Sequence, residues 1–326
     1  MARILFVRNN LMRFTATDYH LLGAEWTVRD WVVRSRQINL PATIWAVRHT
    51  DLVFCWFASW HALAPVMIAR VLRKPSIVVI GGYDVANIPE ARYGLQRGGL
   101  PRLIARAVVR YGDRLIAISQ NARREAITNA HARPEKITVI YPGVEPFPAG
   151  PLTPREPMVL SVGNVWRENL LRKGLLPFVR AAAHLPDFRF VHCGRWWDDS
   201  INELRAAAAT NVQFTGSVSD ANLIAFYQRA TVYVQASLHE GFGLSVAEAM
   251  MGGCIPVVTR AGALPEVVAE TGIYLPSTSP SDLADSIRHA CALDDSARQR
   301  ARDRILSNFS VATRRSRLYE MIGQTL

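Results

Sequence analysis

Lysine is almost missing from this chain. Of 38 basic residues only Lys74, Lys136 and Lys173 are lysines, so a lysine that falls inside a motif carries weight. Cysteine is sparse too. Cys55, Cys193, Cys254 and Cys291 lie far apart with no Cys-x-x-Cys pair, which speaks against a zinc site or disulfide framework and for isolated buried thiols. No apolar run reaches the roughly 18 to 20 residues that cross a bilayer, because Arg, Asp or His interrupts every candidate. The first ten residues lack a secretion-signal pattern, so a cytoplasmic location is expected. There is no Asp-x-Asp pair to hold a divalent ion. Asp198-Asp199 and Asp294-Asp295 stand at expected helix starts, where capping accounts for them.

The chain has 326 residues, 49% hydrophobic and 20% charged, enough for two folded domains. Its net charge of +11 is one-sided: Met1 to Gly150 holds 20 Arg and Lys against 10 Asp and Glu, the remainder 18 against 17. Such a half can meet nucleic acid, an anionic membrane surface or a phosphorylated substrate, and a solvated arginine-rich surface explains it equally. Within it, Arg102, Arg106 and Arg110 recur every four residues, predicting a cationic stripe beside the apolar face of Leu103, Ile104, Ala107 and Val108.

Short β-branched runs alternate with amphipathic segments, the pattern of parallel sheets crossed by helices. In the first half strands are expected at 3–7, 52–56, 76–80, 114–118 and 136–140, with helices near 18–36, 61–72, 101–111 and 121–130. Tyr141 to Pro154 contains five prolines and two glycines and reads as a linker. A second series of strands starts at Met158, and Val311 to Ile322 reads as a closing helix. The expected fold class is α/β, with two Rossmann-like domains facing a central cleft. Their bounds are 1–145 and 158–308, joined by a linker at 146–157 and followed by a helix at 309–326 that packs back toward the first domain.

The most informative stretch runs from Ser237 to Val258. An apolar strand ends near Ala236, a turn with Gly241 and Gly243 follows, and a helix starts near Leu244. Glycines permit close backbone approach, and free amides at a helix start favour an anion such as a diphosphate. Glu240 before the turn and Glu248 within the helix flank that position. A carboxylate beside phosphate needs neutral donors, which vicinal sugar hydroxyls supply in pairs. An ordinary strand-to-helix turn, with Glu248 favouring the helix dipole, accounts for the same residues.

Glu240-Gly-Phe-Gly-Leu-Ser-Val-Ala-Glu248, followed by Gly253, Pro256-Val-Val258, Gly262 and Leu264-Pro-Glu-Val-Val268, resembles the family 4 retaining glycosyltransferases of the GT-B fold. Phe214-Thr-Gly-Ser-Val218 matches as well. The resemblance implies transfer of a sugar from a nucleoside diphosphate to a hydroxyl acceptor. It gives Glu240 the sugar hydroxyls, the amides of Gly241, Phe242, Gly243 and Leu244 the sugar or phosphate, Glu248 the ribose, and Gly216 and Val218 the base. Lys173-Gly174 matches the family's cation site, while its usual arginine is replaced by Asn164, leaving Arg172 or Arg167 to supply the second charge. Cations in place of a metal imply a metal-independent reaction with no cofactor beyond the nucleotide-sugar co-substrate.

The first domain matches less well, since Asn9 to Asp18 lacks the paired glycines that many relatives carry. Acceptor-side candidates are Asp18, His61, Tyr83 and Asp84, the last two after the third strand, where relatives often place a histidine. A packed or capping histidine explains His61 as readily. Partners implied are a nucleotide sugar, a hydroxyl acceptor that is lipid-linked or a surface glycan, and an anionic membrane in peripheral contact. No nucleic acid is expected, for Trp26 to Arg36 suits an amphipathic helix as well as a stacking platform. The alternatives are another GT-B enzyme, an epimerase or phosphorylase, or a non-catalytic sugar- or nucleic-acid-binding protein.

Overall fold

The computed structural model describes residues 1–9, 12–34, 38–148 and 155–326. It divides into two compact units, Met1–Gly143 with Val311–Leu326, and Val144–Ser310. Part of the expected linker, residues 149–154, lies outside the described residues.

The first unit is built on β1 (Arg3–Arg8), β2 (Thr27–Val32), β3 (Leu52–Trp56), β4 (Ser76–Ile80), β5 (Arg114–Ala117) and β6 (Ile137–Val139). All are parallel, in the order β2-β1-β3-β4-β5-β6. β3 and β4 are buried along their whole length, which is why they appear in the sequence as unbroken apolar runs instead of alternating ones.

The helix expected over 18–36 is a helix, Arg13–Gly23, followed by β2. Val28, Trp31 and Val32 favour extended backbone, and β1 supplies the ladder in register from Arg3↔Thr27 to Arg8↔Val32. Trp26 is therefore not on an amphipathic helix, and its ring packs edge-on against Tyr319 at 4.8 Å. Residues 35–37 lie outside the described residues. A further helix, Leu40–Arg48, escapes the sequence reading although Asn39 caps it, accepting from the Ala42 amide at 3.1 Å, and Pro41 opens it.

The arginine stripe is interrupted in the structure. On helix Gly99–Tyr111, Arg106 donates to Gln96 Oε1 (3.1 Å) and to the Asn129 carbonyl (2.7 Å), so it braces the unit instead of facing solvent. The exposed residues there are Gly99, Leu100, Pro101, Leu103 and Arg110.

The second unit carries β7 (Glu156–Val162), β8 (Arg189–Cys193), β9 (Val212–Gly216), β10 (Ala230–Gln235), β11 (Ile255–Val258) and β12 (Ile273–Tyr274). They form a parallel sheet in the order β12-β11-β10-β7-β8-β9. The chain starts in the middle, winds to one edge, then returns to wind to the other. The order reverses between β7 and β10, and ligands of open parallel sheets collect outside the carboxyl ends of strands at such a switch point. In the first sheet the reversal falls between β1 and β3. Cys55, Cys193 and Cys254 are buried and Cys291 half-buried, all as free thiols.

Candidate active site

The segments that follow β7 and β10 bring Lys173, Arg172 and Glu240 together at the switch point of the second sheet. Gly174 makes the approach possible. It has φ +64° and lies so close to Ala236 that a Cβ would sit 2.1 Å from that carbonyl oxygen, so only glycine lets the Lys173 turn rest on the end of β10.

Glu240 is 7% exposed, and its Oε1 accepts from Lys173 Nζ at 2.6 Å, Gln235 Nε2 at 2.6 Å and Ser237 Oγ at 2.8 Å. Arg172 stands 3.9 Å from the same oxygen. Burial works against the charged carboxylate, but Lys173 and then Arg172 outweigh it and hold the group down at about 2. Burial lowers Lys173 as well, opposed by Glu240.

Several of these partners escape the sequence reading. Tyr233 donates to Gln235 Oε1 at 2.8 Å, and Gln235 donates to Ser237 and Glu240, so a polar network runs along one face at the end of β10. Polar side chains at 233, 235 and 237, in an otherwise apolar strand of period two, were the available signal. His192, pushed down to about 4 chiefly by burial, supports the end of β7 through Nε2 on the Gly163 carbonyl at 2.9 Å.

Of the two arginines, only Arg172 lies beside Glu240. Arg167 pairs with exposed Glu203. Arg172 is buried, with Nε on Asn169 Oδ1 at 2.9 Å, and the Asn169 amide in turn donates to the Asn164 carbonyl at 2.7 Å. Asn164 itself is exposed and holds the Arg195 amide through Oδ1 at 3.1 Å.

After Glu240, half-buried Gly241 leads to Phe242, which anchors the turn by packing edge-on against Phe309 at 5.4 Å. Gly243 caps helix Leu244–Met251 with φ +96°. The Ala247 amide bonds the Gly243 carbonyl, which leaves the amides of the first turn without helical partners and suited to an anion. Glu248, half-buried on that helix, accepts from the Tyr227 hydroxyl at 3.1 Å. Gly216 ends β9 with φ +69° under the ring of Trp196, and Val218 is half-buried two residues on.

The acceptor-side candidates fare differently. Asp18 is fully buried, clamped by Arg314 at 2.5 and 2.6 Å and by the Trp56 indole at 2.9 Å, so it braces the first unit and is closed to substrate. His61 is also fully buried; its Nε2 meets the Trp56 carbonyl at 2.7 Å, and burial lowers its pKa, making it a neutral packed imidazole. Tyr83 is 42% exposed and packs edge-on against Tyr93. Asp84 is 1% exposed, with Oδ2 on the amides of Ala58 (2.8 Å) and Gly81 (3.3 Å); burial pushes its carboxyl up to about 6 against those amides.

Of the aspartate pairs, Asp294 caps its helix through the Ala297 amide at 3.1 Å, and Asp198 rather than Asp199 accepts from Ser200. Among the described residues no group of three or more His, Cys, Asp or Glu could hold a metal ion, and no helix is long and apolar enough to cross a membrane.

Residues 156–292 match the family described as Glycosyl transferases group 1, and residues 18–146 match Glycosyltransferase Family 4. The chain is 34% identical over 255 residues to the GDP-mannose:cellobiosyl-diphosphopolyprenol alpha-mannosyltransferase of Xanthomonas oryzae, covering 73% of this chain and 63% of that one. It is 29% identical over 235 residues to the MMP alpha-(1->4)-mannosyltransferase of Mycolicibacterium hassiacum, covering 65% and 55%. The matches thus span 55 to 63% of the length of these relatives. The crystal structure of HepE from Anabaena, in complex with UDP and glucose, superposes with a TM-score of 0.78 at 16% identity, over 99% of this chain and 100% of that one. The chain belongs to glycosyltransferase family 4, the group 1 glycosyl transferases, and has their GT-B fold.

Proposed function

We propose that this protein transfers a sugar from a nucleoside diphosphate sugar to a hydroxyl acceptor, with retention of anomeric configuration and without a metal ion. The observation that carries the reading is the buried Glu240 carboxylate, held by Lys173 and close to Arg172 beside the free amides of a helix start. Glu240 holds sugar hydroxyls and orients the anomeric carbon. The helix amides and Lys173, with Arg172 as second cation, stabilise charge on the departing diphosphate, the part a divalent ion plays elsewhere. The leaving diphosphate takes the acceptor proton on the same face. Glu248 binds the ribose hydroxyls, and the Gly216 turn lies on the base side.

The direct test is nucleotide release from UDP-glucose and GDP-mannose with and without a glycan acceptor, with NMR of the product's anomeric configuration. Turnover is expected to persist in excess EDTA. Loss restored by magnesium or manganese ends the metal-independent reading, and an inverted product ends the retaining one. Conversion of donor with no acceptor present favours an epimerase instead, and a need for free phosphate favours a phosphorylase.

The finer proposal, a lipid-linked acceptor met at an anionic membrane, is supported by the basic first half and by the polyprenol-linked acceptor in the name of the Xanthomonas relative. With Arg106 engaged internally, contact falls to exposed Leu100, Leu103 and Arg110 and half-buried Arg102. Sedimentation with anionic vesicles at low salt is expected, with release at high salt. The Arg102→Gln/Arg110→Gln variant should bind about thirtyfold more weakly, each surface cation contributing roughly 1 kcal/mol. Wild type that ignores anionic vesicles at low salt leaves a soluble acceptor as the better reading.

A further inference from the structure

Helices Leu40–Arg48, Trp60–Val71 and Gly99–Tyr111 form one layer of the first unit, the middle helix packed against the other two. Each connects parallel strands, so all three point the same way. The inner face of the middle helix is core, with Ala62, Val66 and Ala69 fully buried. Its outer face should be polar, as on any helix that faces water on one side. Instead Trp60, Leu63, Met67, Ile68 and Val71 fall there, Val71 being 78% exposed and the others half-buried. The apolar surface continues onto both neighbours, where Leu40, Ile44, Trp45, Leu100 and Leu103 are exposed outright. Helix Pro280–Cys291 of the second unit, equal in length to the middle helix, shows the ordinary arrangement and exposes Ser281, Asp285, Arg288 and His289.

The charge on this layer has one sign. The three helices hold Arg48, Arg70, Arg102, Arg106 and Arg110 and no Asp or Glu. Arg48, Arg70 and Arg110 are exposed in the three last turns, which puts a row of cations at one end of the layer, and the Arg29 guanidinium lies over the exposed Trp45 ring at 4.4 Å. A last-turn cation suits the helix dipole, but the dipole equally favours an acid in the first turn, and none of the three helices has one. The dipole therefore leaves the missing acids unexplained. A surface that meets anionic headgroups explains them, since each acid there would be repelled.

We infer that the outer face of this three-helix layer inserts into the surface of an anionic bilayer, its apolar side chains entering the lipid and its arginines meeting lipid phosphates. The inference rests on the proposed membrane contact and adds to it an inserted apolar face and two further helices. Apolar side chains at the boundary of headgroups and acyl chains, an indole at the same level and cations beside them are the chemistry of an interfacial helix. At 9, 12 and 13 residues none of the three can span, so the layer lies in the surface. A second copy of the chain fits poorly, because a two-fold contact sets arginine against arginine with no acid on these helices to pair them.

The test is co-sedimentation of the full chain with vesicles of phosphatidylcholine alone or mixed with phosphatidylglycerol, together with quenching of tryptophan fluorescence by lipids brominated on their acyl chains. Wild type is expected to bind only the anionic vesicles and to be quenched. Ile44→Ser/Trp45→Ser/Leu103→Ser changes no charge, yet it should bind on the order of a hundredfold more weakly, about fivefold for each partly inserted side chain. All three side chains are at least 46% exposed, so unchanged thermal unfolding certifies the fold. Trp45→Phe should keep the binding while quenching falls, and Leu306→Ser, at an exposed leucine of the second unit, should change neither. A triple variant that sediments like wild type, or wild type that binds without quenching, overturns insertion and leaves a purely cationic contact. Equal binding to neutral vesicles overturns the anionic partner. Dimerisation of wild type without lipid, abolished in the triple variant, makes the face an interface between copies and overturns the inference as well. Wild type that binds no vesicle ends both the inserted face and the membrane contact. The transferase reading is decided separately, by nucleotide release from the donor.

Discussion

Glu240→Gln and Lys173→Ala each lower turnover by on the order of a hundredfold or more, the range seen when one preorganised group facing transition-state charge is removed. The two changes act on one ion pair from opposite sides. Gln keeps the shape of Glu240 but leaves the Lys173 ammonium, 2.6 Å away, without its counter-charge. Ala at 173 leaves a buried carboxylate to Arg172, Gln235 and Ser237 alone. Glu248→Ala, which frees Tyr227 from its acceptor, should chiefly weaken donor binding and affect turnover less. Steady-state kinetics on folded variants checks all three, and near-normal turnover at both 240 and 173 would falsify the site. The pH dependence has a definite sign. Glu240 is depressed from an ordinary 4.5 to about 2, so its contribution to stability is present above 4.5 and is lost as pH falls toward 2. Activity should accordingly show no acidic limb from Glu240 at any pH where the enzyme stays folded.

The largest effect on stability is expected at the closing helix. Arg314→Ala removes both guanidinium bonds to Asp18 and those to the carbonyls of Ile140 and Tyr141, all within the first unit. A buried carboxylate stripped of its partner costs about 3 to 5 kcal/mol, whereas removing both charges together can be nearly neutral. Chemical denaturation should therefore show the first unit of Arg314→Ala unfolding at much lower denaturant, with Asp18→Asn/Arg314→Met recovering most of the loss. A single variant as stable as wild type would mean that the ion pair is not what holds helix Val311–Gly323 to its unit.

The strands were readable because parallel strands buried on both faces are continuous apolar runs, and all but β2 of the twelve fall within a residue or two of the expected bounds. β2 was not readable. It is an edge strand with Arg29 and Asp30 in its middle, so its pattern lacks the apolar continuity of the others, and only pairing with β1 makes it a strand. Three of the acceptor-side candidates, Asp18, His61 and Asp84, are buried for a related reason: they lie near strand ends, and a one-dimensional position does not say whether a side chain turns toward solvent or inward.

The sequence by itself determined the two α/β halves and the family, and it singled out Glu240, Glu248 and Lys173 as site candidates, because glycine spacing and rare residue types are local properties that survive without coordinates. Tertiary structure decided which cation accompanies Lys173, since Arg167 and Arg172 differ only in what they meet: exposed Glu203 for one, buried Glu240 for the other. It also decided that Asp18 is a brace, because its partner Arg314 lies 296 residues away in sequence. Burial and pairing depend on contacts distant along the chain, and no local pattern carries them.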